Sequence, residues 1–204
     1  VKKRLKTKPA DQWTDPVAPP SGARFVPVDA GNGVGWGVLR RELADQRNDL
    51  REFVFDKAHP IKAQRQGDFL APWSSTATMD VLLPDDAPAE LMDARRLAER
   101  YEAEAFSGIK DLAICVSLKI SRPDHVLTDW VRIRAFARDA FCVRRHVAAI
   151  AILHVPARSG VRRDAHVHLI APARELRAEF GAFLRPFASD AGAPILAAEW
   201  AAWR

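Results

Sequence analysis

The residues best placed by type and spacing to do chemistry are three histidines. His166 and His168 are separated only by Val167, and His154 lies twelve positions upstream. On an extended strand, side chains alternate between faces, so His166 and His168 project together while Val167 turns the other way. Residues 147–155 (Val-Ala-Ala-Ile-Ala-Ile-Leu-His-Val) are apolar and β-branched enough to form the preceding strand. If the two strands pair as an antiparallel hairpin, His154 and His166 stand symmetrically about Gly160 and meet across the ladder. The spacing therefore predicts three imidazoles converging on a divalent metal ion. Three neutral imidazoles leave coordination positions open for a water or a phosphate oxygen. By ligand softness alone the set suits Mn²⁺, Zn²⁺, Co²⁺ or Ni²⁺ better than Mg²⁺.

The charge around these histidines points to a polyanion. The 204-residue chain carries 31 Lys and Arg against 26 Asp and Glu, a net charge of +5. Between Arg122 and Arg163 there are nine arginines against three aspartates, a local surplus that runs directly into the histidine pair. Arg158, Arg162 and Arg163 fall in the segment between His154 and His166, where they would overhang the metal site as a cationic rim suited to a phosphodiester substrate. Cys115 and Cys142 sit inside apolar periodic segments and read as small core residues in a reducing, cytoplasmic setting. No stretch reads as a membrane span or signal peptide, so a cytoplasmic protein without membrane contact is expected.

The elements that must position the histidines follow from periodicity. Residues 1–22 combine five cations in the first eight positions with Pro16, Pro19 and Pro20, and read as a basic disordered arm. Residues 23–204 are expected to form one domain. Strands are expected at 24–28 and 34–39 about the turn Gly31-Asn32-Gly33, a solvent-facing helix over 39–55, and irregular chain over 57–73. A strand over 78–83 precedes a helix over 89–105 that Gly108 stops. Leu112, Ile114, Val116, Leu118 and Ile120 alternate perfectly, the clearest strand in the sequence. Thr128 is expected to cap a helix carrying Ile133, Phe136, Ala137, Ala140 and Phe141 at helical spacing. Leu176, Phe180, Phe183 and Leu184 suggest another helix over 174–185, and Pro194 opens a last one with Trp200 and Trp203. This order predicts an α+β fold, a largely antiparallel sheet with helices packed on one face.

Several of these pieces together resemble a known family. Leu82-Leu83-Pro84-Asp85-Asp86-Ala87-Pro88 before an amphipathic helix, the strand opening Lys110-Asp111, Leu127-Thr128 opening a helix, Ala151-Ile152-Leu153-His154 and Ala165-His166-Val167-His168-Leu169-Ile170 resemble the MobA/MobL plasmid mobilisation relaxases, which are HUH-type enzymes. The resemblance spans residues 77–171. It implies a relaxase fold and three histidine ligands at His154, His166 and His168 for Mg²⁺ or Mn²⁺. It also implies binding of single-stranded or transfer-origin DNA and nicking of one strand by a tyrosine hydroxyl that becomes joined to the 5′ phosphate. The family's tyrosine lies near the N-terminus, before the Leu-Pro motif. This chain has a single tyrosine, Tyr101, in the helix after that motif. Where the family's strand tends to carry two acids, this one has Asp111 and then Ala113.

Three functions remain open on these residues. The first is a metal-dependent nicking domain using Tyr101 or a tyrosine from another subunit. The second is a relaxase relative that binds DNA without cleaving it, as an accessory or remnant of a mobilisation system. The third is a phosphodiester hydrolase that activates water, with Asp164 or Asp111 as base.

Overall fold

The computed structural model describes residues 25–59, 78–120, 123–159 and 164–204. The expected arm at 1–22, most of the expected irregular stretch, and Arg162 and Arg163 lie outside them.

A six-stranded sheet, antiparallel at every pairing, forms the centre of the fold. Its strands are β1 (Val28–Asp29), β2 (Val34–Arg40), β5 (Thr78–Leu82), β6 (Asp111–Lys119), β7 (Ala149–His154) and β8 (His166–Pro172), in the order β1-β2-β6-β8-β7-β5. The turn between β1 and β2 uses Gly31, Asn32 and Gly33, all at positive φ, as their residue types favour. β6 is the strand read from the alternation over 112–120, and it pairs along its length with β2 and with β8.

Four α-helices among the described residues flank this sheet, and they cover both faces rather than the single face expected. On one face, Ile114, Val116, Leu118, Val167 and Leu169 pack with α3 (Val126–Ala137) and α4 (Gly192–Trp203). On the other, Ala113, Cys115, Ile150, Ile152 and Ile170 pack with α1 (Leu50–Ala58) and α2 (Ala94–Ala103). The physical reason is visible in β7 and β8, whose apolar runs are nearly continuous, as strands buried on both sides must be. In β6 the second phase is small (Ala113, Cys115, Ser117), which gives α1 and α2 room to approach.

Other elements depart from expectation. The helix expected over 39–55 begins only at Leu50, where Asp49 caps it by accepting the Arg51 N–H at 2.7 Å. Before it the chain finishes β2 and makes a small hairpin, β3 (Glu42–Leu43) and β4 (Gln46–Arg47). Leu39 and Leu50 are fully buried, while Glu42, Ala44, Asp45 and Arg47 of the hairpin between them stay exposed. The helix expected over 89–105 divides at Asp93 into a 3₁₀ turn and α2, with Asp93 accepting the Arg96 N–H at 2.8 Å. α3 starts at Val126 after a 3₁₀ turn, so Thr128 lies inside its first turn instead of capping it. The helix expected over 174–185 is a hairpin, β9 (Arg174–Leu176) and β10 (Phe180–Phe183), in which Leu176 and Phe180 are directly opposed. A tight hairpin brings residues four apart onto one face just as a helix turn does, which is why the apolar spacing misleads.

Candidate metal centre

The three histidines are delivered by the two central strands. His154 closes β7 and His166 opens β8, and the two are register partners, as the symmetry about Gly160 requires. His168 follows on β8, opposite Ile152 on one side and Ser117 of β6 on the other. All three project from the face that α1 and α2 cover. Their ring centroids are 4.7–5.2 Å apart, and one ligand atom from each ring lies within 4.8 Å of the others. The rings are buried, His168 completely.

Each ring is held by a second group. Ser117 Oγ lies 2.6 Å from His168 Nδ1, with Cys115 Sγ 3.9 Å from the same nitrogen. His166 Nδ1 donates to the Asp164 carbonyl oxygen at 3.1 Å. His154 Nε2 donates to the Lys57 carbonyl oxygen at 2.6 Å, in the last turn of α1. Such partners set tautomer and orientation in metal-ligating histidines. With these contacts the lone pairs offered to a metal would be Nδ1 of His154 and Nε2 of His166 and His168. Burial holds the His168 pKa well below the ordinary 6.5, and the charge of Lys57 and the two other rings lower it further. His168 is thus neutral near pH 7, the form that ligates a cation. Geometry, second contacts and protonation state all fit a divalent ion held by three imidazoles.

A plasmid relaxase from Staphylococcus aureus, solved in a study of the molecular basis of vancomycin resistance transfer, superposes on this chain with a TM-score of 0.56. The superposition covers 84% of this chain and 85% of the other at 14% sequence identity. This chain has a relaxase-like fold. No family model matches the sequence, and a search of curated proteins finds no match. At this identity the likeness speaks for the backbone architecture, and the chemistry must be argued from the residues.

On the relaxase-like sheet the remaining candidates are dispersed. Tyr101, read as a nucleophile candidate, is wholly buried in α2, its ring edge-on to Phe180 at 4.9 Å. Desolvation pushes its hydroxyl pKa well above 10. The hydroxyl lies by the backbone of Ala173, five residues beyond His168, or about 16 Å along an extended chain. Asp111 opens β6 at the end away from the histidines, 3.9 Å from Arg40. Asp164 is next to the centre but engages it through its carbonyl. Arg158 belongs to the 3₁₀ turn Pro156–Ser159 that follows β7. Both cysteines are free and buried, and burial raises the Cys115 thiol to about 11. No helix among the described residues is long and apolar enough to cross a membrane.

Ser117 and the Lys57 carbonyl are functional groups the sequence reading missed. Ser117 carries a faint signal, as the polar member of the small phase of β6. The Lys57 carbonyl carries none, since every residue has one.

Proposed function

We propose that this protein is a DNA-binding relaxase relative whose His154, His166 and His168 hold a divalent metal ion against a DNA phosphate. The observation that carries the reading is the meeting of three buried imidazoles on adjacent strands of a relaxase-like sheet. A bound divalent ion supplies Lewis-acid neutralisation of the non-bridging phosphate oxygens. The protein's own groups do the rest: the three rings would ligate, while Ser117 and the carbonyls of Asp164 and Lys57 hold their orientation. The net charge of +5 favours a polyanionic partner, and Arg158, Arg162 and Arg163 are the side chains we assign to the phosphates around the site.

Binding without self-contained nicking is the version we favour. The one tyrosine is buried away from the histidines, so tyrosine-mediated strand transfer would need a tyrosine from another subunit. MobA/MobL kinship, a role in plasmid mobilisation and a cytoplasmic location belong to the same proposal. Mg²⁺ or Mn²⁺ follows from the resemblance, and Zn²⁺, Co²⁺ or Ni²⁺ from the ligands.

The test combines calorimetry with a cleavage assay. Mn²⁺ or Zn²⁺ titrated into metal-free protein is expected to bind at one site, and His166→Ala to abolish it; no heat from Mn²⁺, Zn²⁺ or Mg²⁺ overturns the reading. Incubation with single-stranded origin DNA and Mn²⁺ is expected to give salt-sensitive binding and no covalent adduct. An adduct lost in Tyr101→Phe would restore the nicking reading. Cleavage that survives Tyr101→Phe but not His166→Ala would instead establish a hydrolase.

A further inference from the structure

A second polar site lies at the other end of the sheet from the histidines. Where β2 ends and β6 begins, a cleft of 730 Å³ opens beside the C-terminal end of α2. Arg40, Arg41, Arg47 and Lys110 line it against Glu42 and Glu102. The acid deepest in the wall is already committed. Glu102 meets Arg41 at 2.8 Å and accepts the Leu50 N–H at 2.7 Å, with both side chains of the ion pair about one-tenth exposed. Arg41 also donates to the Asn48 carbonyl oxygen at 3.1 Å, so the guanidinium is a fixed part of the wall. Arg47 and Lys110, by contrast, are exposed and enter no ion pair among the described residues. No carboxylate among the described residues lies within 4 Å of either charge, and Glu42, which stands opposite Arg47 in the hairpin, is the nearest acid in register.

An aromatic ring completes the lining. Phe106 is 53% exposed, steadied edge-on by Phe183 at 5.8 Å and by the Arg174 guanidinium at 5.8 Å. A large apolar ring left in solvent in a cleft that cations also line is the arrangement that stacks a nucleobase while its phosphates are neutralised. The rim is also held in an unfavourable backbone shape. The β3–β4 turn places Ala44 and Asp45 at φ of 51° and 63°, a conformation that glycine or asparagine usually supplies. Its base is clamped by Asn48 Nδ2 donating to the Arg40 carbonyl at 2.7 Å and by the Asn48 N–H donating to the Arg41 carbonyl at 2.7 Å. Backbone strain of this kind persists where the surroundings over-determine it, and it concentrates at binding sites.

We infer that this cleft binds a single-stranded nucleic acid segment, with Arg47 and Lys110 on its phosphates and an unstacked base against Phe106. The inference rests on the DNA-binding reading above and adds a second contact to it. From Lys110 to Ser117 along β6 is about 23 Å at the ordinary strand rise. That is about seven nucleotides at ~3.4 Å per nucleotide, so one strand can touch both sites.

Fluorescence anisotropy of the full chain with labelled single-stranded oligonucleotides, in metal-free buffer across a range of NaCl concentrations, tests it. The charge reversal Arg47→Glu with Lys110→Glu is expected to weaken binding at least tenfold. It should also reduce the slope of log affinity on log salt by about 1.4, two phosphate contacts at ~0.7 each. Phe106→Ala is expected to weaken binding about tenfold with the slope unchanged. Thermal unfolding and Mn²⁺ uptake serve as controls for folding and are expected to match the wild type. If the variants bind the oligonucleotide as the wild type does, the cleft is not a nucleic-acid site, while the metal-centre reading stands. Displacement by poly-glutamate as effective as by unlabelled oligonucleotide likewise overturns it. A wild type that binds no strand, with or without Mn²⁺, overturns both the cleft and the DNA-binding reading.

Discussion

His168 is the residue on which the centre turns. It is fully buried, neutral, and tied to Ser117 at 2.6 Å. Removing that hydroxyl takes the 2.6 Å contact from His168 Nδ1, and losses of about 10–100-fold in metal affinity are typical for such changes. Ser117→Ala is therefore expected to weaken Mn²⁺ binding by that factor in calorimetry, and Ser117→Thr to restore most of it. Nitrogen chemical shifts of the His168 ring should report a change in its tautomer balance in Ser117→Ala; an unaltered ring would show that Ser117 does not set it. Burying His168 uncharged also carries a pH dependence. Its native pKa is lowered, so as pH falls below 6.5 the unfolded chain takes up a proton that the native state refuses. Stability of the metal-free protein is expected to be full above about pH 7. It should fall on acidification by up to about 1.4 kcal/mol per pH unit from this group. Urea midpoints between pH 7.5 and 5 measure it, and a flat profile would contradict it.

Among the elements, α1 and α4 illustrate how the sheet is sandwiched. α1 runs from Leu50, bonded to Glu102 at the cleft, to Lys57, whose carbonyl holds His154. The helix thus spans the face between the two proposed sites. Nine residues at 1.5 Å each give it about 13 Å of length. Metal uptake is expected to slow amide exchange in the last turn of α1, since a ligated His154 holds the Lys57 carbonyl more tightly. Exchange unchanged by Mn²⁺ would detach the helix from the centre. On the opposite face, α4 approaches β2 through Gly192. A Cβ there would sit 2.0 Å from the Phe187 carbonyl oxygen and 2.6 Å from the Trp36 ring. One contact is backbone and the other a fully buried indole, so neither can yield cheaply. Gly192→Ala is expected to lower stability by about 1–3 kcal/mol in denaturant unfolding, the cost of overfilling a packed core.

For the whole molecule, the proposed metal binding would be linked to folding, because the three histidines come from strands that only the assembled sheet brings together. A ligand at 100 times its dissociation constant stabilises the native state by about 2.7 kcal/mol. For a chain of this size that is roughly 5–10 °C in the unfolding midpoint. Differential scanning fluorimetry with Mn²⁺ or Zn²⁺ is expected to show a rise of this order in the wild type and none in His166→Ala. The relaxase-like architecture also gives the sheet two ends with different equipment, histidines at one and a cationic cleft at the other.

Much of this centre is legible in the amino-acid order. The i, i+2 spacing of His166 and His168, and the symmetry of His154 about Gly160, are local facts of strand geometry. They hold wherever those strands pair. The alternation that marks β6 and the apolar runs of β7 and β8 are local in the same sense. Tertiary structure alone decided that β6 lies beside β8, which sets Ser117 against His168, and that α1 docks to offer the Lys57 carbonyl. It also buried Tyr101 away from the histidines, covered both faces of the sheet, and made a hairpin of residues 174–183, where apolar spacing suits a helix equally well. Periodicity reports which way a side chain points within its own element. Which elements become neighbours is settled by contacts between residues far apart in the chain, and those leave no local pattern to read.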